Sequence, residues 1–196
     1  NTTSFIYVLP FSKNRALVEF TYFSPEKVSD KTYEDFIKTH LSKKLKLSTY
    51  NIYEKEQGVI PMTSYPFHKN HQDNITKIGT SGGWVKSSTG YSFKNSERFA
   101  LKIVNNIKAD KSPHYNLFQK RFKHYDKLFL DVLYQHNDYG EKLFYNMYKR
   151  NNIKDIFQFL DEQTHFSQEL KIMFSMTSYY FIKAFLKHAV QGFQIK

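Results

Sequence analysis

The chain of 196 residues contains no cysteine. Disulfides, thiolate nucleophiles and cysteine-ligated metals are therefore excluded, a usage that fits a cytosolic protein. No apolar run approaches the roughly 18 residues that a membrane-spanning helix needs, and no signal-peptide pattern precedes the first apolar stretch. Acidic residues are in the minority, 18 against 29 lysines and arginines, which leaves a net charge of +11. That balance favours anionic partners, with nucleic acid and an anionic membrane surface as the usual ones. A solvated lysine-rich face is the plainer alternative. The histidines are scattered; only His68 and His71 stand close, and no carboxylate is spaced to complete a metal set, so no metal is expected. The sequence starts at Asn1, without Met, and enters an apolar strand almost at once, as expected of a piece of a longer protein.

Glycine is also scarce, at seven residues, yet four of the seven fall between Gly79 and Gly90. The segment Ile78-Gly79-Thr80-Ser81-Gly82-Gly83-Trp84 follows an apolar lead-in and precedes a helical pattern. Glycine pairs permit positive φ or a close backbone approach to a ligand. Bare amides ahead of a helix suit an anion such as a phosphate; a tight turn between two elements is the alternative. Aromatic residues are abundant, with 19 Phe and 15 Tyr. They serve either as core or as a surface for a large apolar partner.

Periodicity gives an α+β plan. Phe5 to Pro10 and Ala16 to Phe23 read as two strands joined by the polar turn Ser12-Lys13-Asn14-Arg15, a hairpin in which Pro10 ends the first strand or marks an edge. Tyr33, Phe36, Ile37, Leu41 and Leu45 step at three and four, the mark of an amphipathic helix from Asp30. Tyr50 to Glu56 returns to strand alternation, and Pro66 with Asn70 to Asn74 are turn signals. A helix from about Asn95 carries Phe99, Ile103, Val104 and Ile107. Asp110-Lys111-Ser112-Pro113 is the candidate boundary, giving a sheet-bearing domain over 1–110 and a helical region over 111–196. The helical stripes are Leu117, Phe118, Phe122, Tyr125, Phe129 and Leu133; Leu143, Tyr145, Met147 and Tyr148; Ile153, Phe157 and Leu160. A last helix, about Ser167 to Gln191, carries Leu170, Phe174, Thr177, Phe181 and Leu186.

Three features carry possible chemistry. Period two places Leu17, Glu19 and Thr21 on one strand face and Val18 and Phe20 on the other. A carboxyl among apolar neighbours resists ionisation, the state a general acid needs; alternatively Glu19 points to water or pairs with Arg15. Ser81, Ser87 and Ser88 have no matching His/Asp arrangement and read as loop and cap residues, with Ser88, Thr89 or Asn95 as the cap. The run from Lys120 to Lys127 alternates bases with aromatics. It suits a nucleic-acid backbone, a membrane-surface helix, or an amphipathic helix with Phe122, Tyr125 and Phe129 buried.

The segments Phe5–Ser24, Gln57-Gly-Val-Ile-Pro-Met-Thr63, and Ile78–Gly83 with Ser88-Thr-Gly-Tyr-Ser-Phe93 resemble, in order and spacing, consecutive signatures of the flavin-dependent lycopene cyclases. The resemblance covers about residues 4–110 well and the helical remainder loosely. It implies the fold of flavoprotein hydroxylases: a dinucleotide-binding βαβ unit interleaved with a mixed substrate-side sheet, then a helical region. It assigns the acid–base role to Glu19. It places Gly79, Thr80, Gly82, Gly83, Thr89, Gly90 and Tyr91 near the flavin, and Pro61, Met62 and Thr63 on the substrate side.

The implied reaction is proton-initiated, non-redox closure of a linear carotene end into an ionone ring, with reduced FAD required but not consumed. The implied setting is cytoplasmic and peripheral on a membrane, with no nucleic acid. Two departures stand out: Phe20 occupies a position where many members carry a second carboxylate, and Ser87-Ser88 replaces a proline-containing pair. No Gly-x-Gly-x-x-Gly strand–turn–helix occurs in the sequence. The chain is therefore expected to be the C-terminal portion of such an enzyme, unable to hold FAD tightly or turn over alone. The other readings are a hydroxylase or reductase of the same superfamily acting on another isoprenoid, and a basic non-catalytic module binding membrane or nucleic acid.

Overall fold

A computed structural model describes residues 2–72, 75–176 and 179–194. Among the described residues the fold is α+β, with one antiparallel hairpin, β1 (Ser4–Ser12) and β2 (Arg15–Tyr22), and seven α-helical segments. The helices are α1 (Asp30–Thr39), α2 (Phe93–Lys108), α3 (Lys120–Gln135), α4 (Gly140–Arg150), α5 (Ile153–Leu160), α6 (Phe166–Met176) and α7 (Tyr179–Gln194). The chain divides into two compact units. One comprises residues 1–58 with Leu133–Leu143, the other Val59–Val132 with Phe144–Lys196.

In the first unit the hairpin pairs Tyr7 with Glu19 and Val8 with Val18, and the register shifts between Pro10 and Ser12. Proline lacks an N–H, so it is tolerated here, on a strand with only one neighbour. Period two then divides the side chains. Phe20 and Tyr22 meet Tyr33 and Phe36 of α1, with the Phe20 and Phe36 rings stacked at 4.7 Å. Glu19 and Thr21 share the opposite face with Tyr7. Ser29 caps α1, its side chain accepting from the Thr32 amide. The α-helix gives way at His40 to a π-helical turn over His40–Lys44, which buries Leu41. That wider turn breaks the three-and-four spacing, and Leu45 is left exposed.

The strand expected over Tyr50 to Glu56 does not form; the segment has no strand or helix. It is fastened by side chains instead: Lys55 to Glu34, Gln57 Nε2 to Asp30 Oδ1 at 2.8 Å, and Arg15 over the Tyr53 ring. Alternation alone does not make a strand without a partner for its backbone groups. Asn137 completes the unit, donating to the Phe23 carbonyl at 2.8 Å and accepting from the Thr3 amide.

In the second unit Trp84, Phe99 and Leu117 form a buried cluster with Ile103 and Phe118 against it. This cluster spans the Asp110–Pro113 turn, the sequence's candidate boundary, so α2 and the segment leading into α3 share one core. Helix α3 buries Phe122, Leu128, Phe129 and Val132. The basic–aromatic run beginning at Lys120 is therefore an amphipathic helix with its aromatic face packed. Asn152 caps α5, which buries Ile156 and Phe159 and leaves Ile153 and Phe157 exposed, the reverse of the expected stripe. Ile172 and Met176 are buried on α6 while Phe174 is 66 % exposed. Where a helix is expected over about Ser167 to Gln191, the described residues are helical as α6 and α7. Thr177, expected within it, and Asn74, expected as a turn signal, lie outside the described residues.

Candidate functional site

The sequence-predicted site residues fall into the two units: Glu19 into the first, the Pro61–Thr63 and glycine segments into the second. Each has its own local geometry.

Glu19 lies half-buried on β2, directly across from Tyr7 on β1. The Tyr7 hydroxyl donates to Glu19 Oε2, and the Thr21 hydroxyl lies 3.4 Å from Oε1. The carboxyl is thus held as an acceptor by neighbouring hydroxyls, rather than standing among purely apolar groups, and no pairing with Arg15 forms. Tyr7 itself is pushed up to about 12, first by burial and then by its hydrogen bond to Glu19 and the nearby carboxylate charge. It therefore remains a donor across the neutral range. Phe5 stacks beside Tyr7 at 6.2 Å, giving this face an aromatic floor.

The glycine segment folds into a short 3₁₀ turn over Gly79–Gly82, closed by Gly83 in the left-handed region at φ 72°. Its amides are largely used within the loop. Gly82 N–H donates to the Ile78 carbonyl, Gly83 N–H to Thr80 and Trp84 N–H to Gly79, all at 3.0 to 3.1 Å. Lys86 N–H donates to the Tyr91 carbonyl at 2.7 Å, and Gly90 N–H donates back to Lys86 at 2.8 Å. A Cβ on Gly83 would fall 2.9 Å from Cβ of Phe67, and one on Gly90 3.2 Å from Ile60. The loop thus packs on the residues flanking Pro61-Met62-Thr63. Thr63 Oγ1 accepts from the Tyr65 amide at 3.1 Å. Thr80 and Tyr91 are exposed, and Thr89 accepts from the Tyr91 amide.

These contacts test the segment as a flavin cradle. The spaces beside Gly82, Gly83 and Gly90 are filled by the chain's own atoms, and their amides already have partners. The segment as folded does not form a flavin cradle by itself. Only Gly79, with positive φ and open space beside it, keeps the room that close approach by a ligand requires. The expected helix cap also differs. α2 begins at Phe93 with Ser92 at the cap position; Ser88 and Asn95 are engaged elsewhere.

Where Ser88 is engaged is the feature that sequence reasoning missed. Lys86 is buried, with its ammonium 2.9 Å from Asp126 Oδ1 and 3.5 Å from Glu162 Oε1. Ser88 Oγ donates to the same Asp126 oxygen at 2.6 Å. Arg98 donates to Glu162 Oε2 at 2.9 Å, to the Asp161 carbonyl at 2.6 Å and to Asn95. Two cations and two carboxylates are paired, which is how buried charge is tolerated, while Asp126 Oδ2 is buried without a hydrogen-bond partner. The network ties the glycine segment to α2, α3 and the turn after α5. Lys123 adds a further tie, reaching the Gly83 carbonyl at 3.4 Å, with its ammonium pushed down chiefly by burial. No local spacing links residues 86, 126 and 162, so nothing in the sequence alone could have shown it.

A further buried carboxylate, Glu169, is held by Arg121 Nε at 3.1 Å and the Tyr125 hydroxyl at 2.9 Å. A depression of about 360 Å³ is lined by Lys102, Asn116, Phe118, Gln119, Lys120 and Arg121. Its rim is cationic and contains none of the predicted site residues, so it does not suit a polyene. Among the described residues no cluster of histidines and carboxylates could hold a metal ion, and no helix is long and apolar enough to cross a membrane.

The model of the lycopene cyclase protein family covers residues 1–186, and the chain belongs to that family. No match was found among curated proteins or among solved structures.

Proposed function

We propose that this chain carries the acid of a carotenoid ring-forming reaction, with Glu19 as the proton donor to a linear carotene. The observation that carries the reading is Glu19 on β2, held between the hydroxyls of Tyr7 and Thr21 in a chain of the lycopene cyclase family. A proton from the Glu19 carboxyl adds to the terminal double bond of the substrate. The resulting cation is attacked by the neighbouring double bond, closing a six-membered ring. Loss of a ring proton gives the ionone end, and the carboxylate recovers a proton. No electrons are gained or lost overall. Aromatic rings beside the acid, Phe5 and Tyr7, offer their faces to a developing cation.

Reduced FAD belongs to this proposal as a requirement of the family resemblance. Its binding would need the dinucleotide-binding unit that this sequence does not contain. The self-satisfied glycine segment supports the corollary that the isolated chain neither retains FAD nor turns over. A polyene substrate resides in lipid, and a net charge of +11 favours contact with an anionic membrane surface from the cytoplasmic side. The decisive test is Glu19→Gln in the full-length protein, supplied with reduced FAD and lycopene. Cyclisation is expected to be abolished; retention of the wild-type rate would remove Glu19 from the mechanism.

A further inference from the structure

Glu19 has two carboxyl oxygens, and the hairpin treats them differently. Oε2 receives the Tyr7 hydroxyl, while Oε1 has only the Thr21 hydroxyl at the 3.4 Å limit of a hydrogen bond. Tyr7 sits directly opposite Glu19 in the β1–β2 register, so the backbone ladder itself sets this pairing. Phe5 stacks on Tyr7 at one side and lies 5.7 Å from the Phe23 ring, which holds the phenol in place.

We infer that Tyr7 is a positioning residue for the acid: by occupying Oε2 it leaves Oε1 as the oxygen that bears and delivers the proton. An oxygen accepting a hydrogen bond from a phenol is the poorer place for a second proton. The proton of the neutral acid therefore resides on Oε1, on the Thr21 side. One oriented proton replaces a carboxyl free to rotate and to present either oxygen, and such orientation is a recognised source of rate. Burial and the Glu19 carboxylate keep the Tyr7 phenol protonated, so the donor is present at every pH where the acid works. Tyr7 neither gains nor loses a proton in the cycle. The proton that leaves Glu19 Oε1 goes to the terminal carbon of the carotene, and the one released by the ring returns to the carboxylate.

This inference rests on the reading of Glu19 as the acid, and the experiment separates the two. The full-length protein is assayed in liposomes containing lycopene, with reduced FAD supplied, as wild type, Tyr7→Phe and Glu19→Gln. For Tyr7→Phe the expectation is a fall in kcat of roughly ten- to a hundredfold with KM nearly unchanged. The alkaline limb of its kcat profile should move to higher pH, because a donor to the ionised carboxyl has been removed. A role confined to packing would not move that limb. A ring-fluorinated tyrosine at position 7 fills the same space and donates more strongly, so it should move the limb to lower pH; it serves also if Tyr7→Phe fails to fold. Wild-type kcat and an unmoved limb in both variants would overturn the role of Tyr7. Wild-type activity in Glu19→Gln would instead overturn the reading beneath it.

Discussion

The ammonium of Lys86 lies 2.9 Å from Asp126 Oδ1, with both side chains almost wholly buried, at 2 % and 4 % exposure. This pair anchors the far end of the glycine segment to α3. Removing one member of a buried pair strands the other, which costs about 3–5 kcal/mol. Lys86→Met is therefore expected to lower stability by that order in chemical denaturation. Combining it with Asp126→Leu should cost less than the sum of the single changes, as coupled neighbours do. Additivity of the two would show that the pair is not coupled.

Gly83 and Gly79 both have positive φ, but only Gly83 faces a neighbour, Phe67 at 2.9 Å from a would-be Cβ. Alanine pays about 1–2 kcal/mol for the left-handed conformation at either position. Gly83→Ala is expected to cost more than Gly79→Ala, the difference reporting the collision with Phe67. Equal thermal shifts would place Phe67 away from the loop in solution.

Tyr7 and Tyr125 are each pushed up to about 12, chiefly by burial and next by hydrogen bonds to Glu19 and Glu169. A folded-state value above the unfolded one gives stability that is complete below about 10 and is lost as pH rises towards 12. The protein should thus lose stability steeply over that alkaline window. Tyr125→Phe should flatten the loss, since it removes one of the two phenols that must ionise. Two late-titrating tyrosines in an ultraviolet titration would accompany this. Titration of every tyrosine near 10 would contradict it.

His71 behaves in the opposite sense. Its Nδ1 accepts from the Lys77 amide at 3.2 Å, and its ring stacks on His114 at 4.7 Å. Burial, then the charges of His114 and His68, push it below its ordinary value of 6.5. A depressed value gives stability that is present above 6.5 and is lost as pH falls through the folded-state value. NMR titration should show the His71 imidazole protonating below 6.5, with the Lys77 amide shifting in the same step. A normal or raised midpoint would show that the amide contact does not persist.

Much of the local structure was legible in the residues. The hairpin followed from two β-branched and aromatic runs around Lys13-Asn14, and the split of Glu19 from Phe20 followed from period two. Glu19 and Thr21 do share a face. Helices α1, α2 and α3 were legible from three-and-four spacing. For α5 the same spacing misled, because Ile153 and Phe157 are as apolar as Ile156 and Phe159 and a short helix offers two candidate stripes. Only the neighbours that arrive from α3 and α6 decide which stripe is buried. Phe159, for one, lies against Phe122, with ring centroids 6.0 Å apart.

By itself, then, the sequence determined the α+β plan, the placement of Glu19 on a strand face and the motifs shared with the lycopene cyclase family. All of these depend on residues close together in the chain. Tertiary structure alone decided that Tyr7 would claim one oxygen of Glu19, since that depends on the hairpin's register. It alone decided that the glycine segment would spend its amides on itself. And it alone brought Lys86 to Glu162, across 76 residues. Buried charges draw their stability from partners that folding delivers, and such partners leave no local trace.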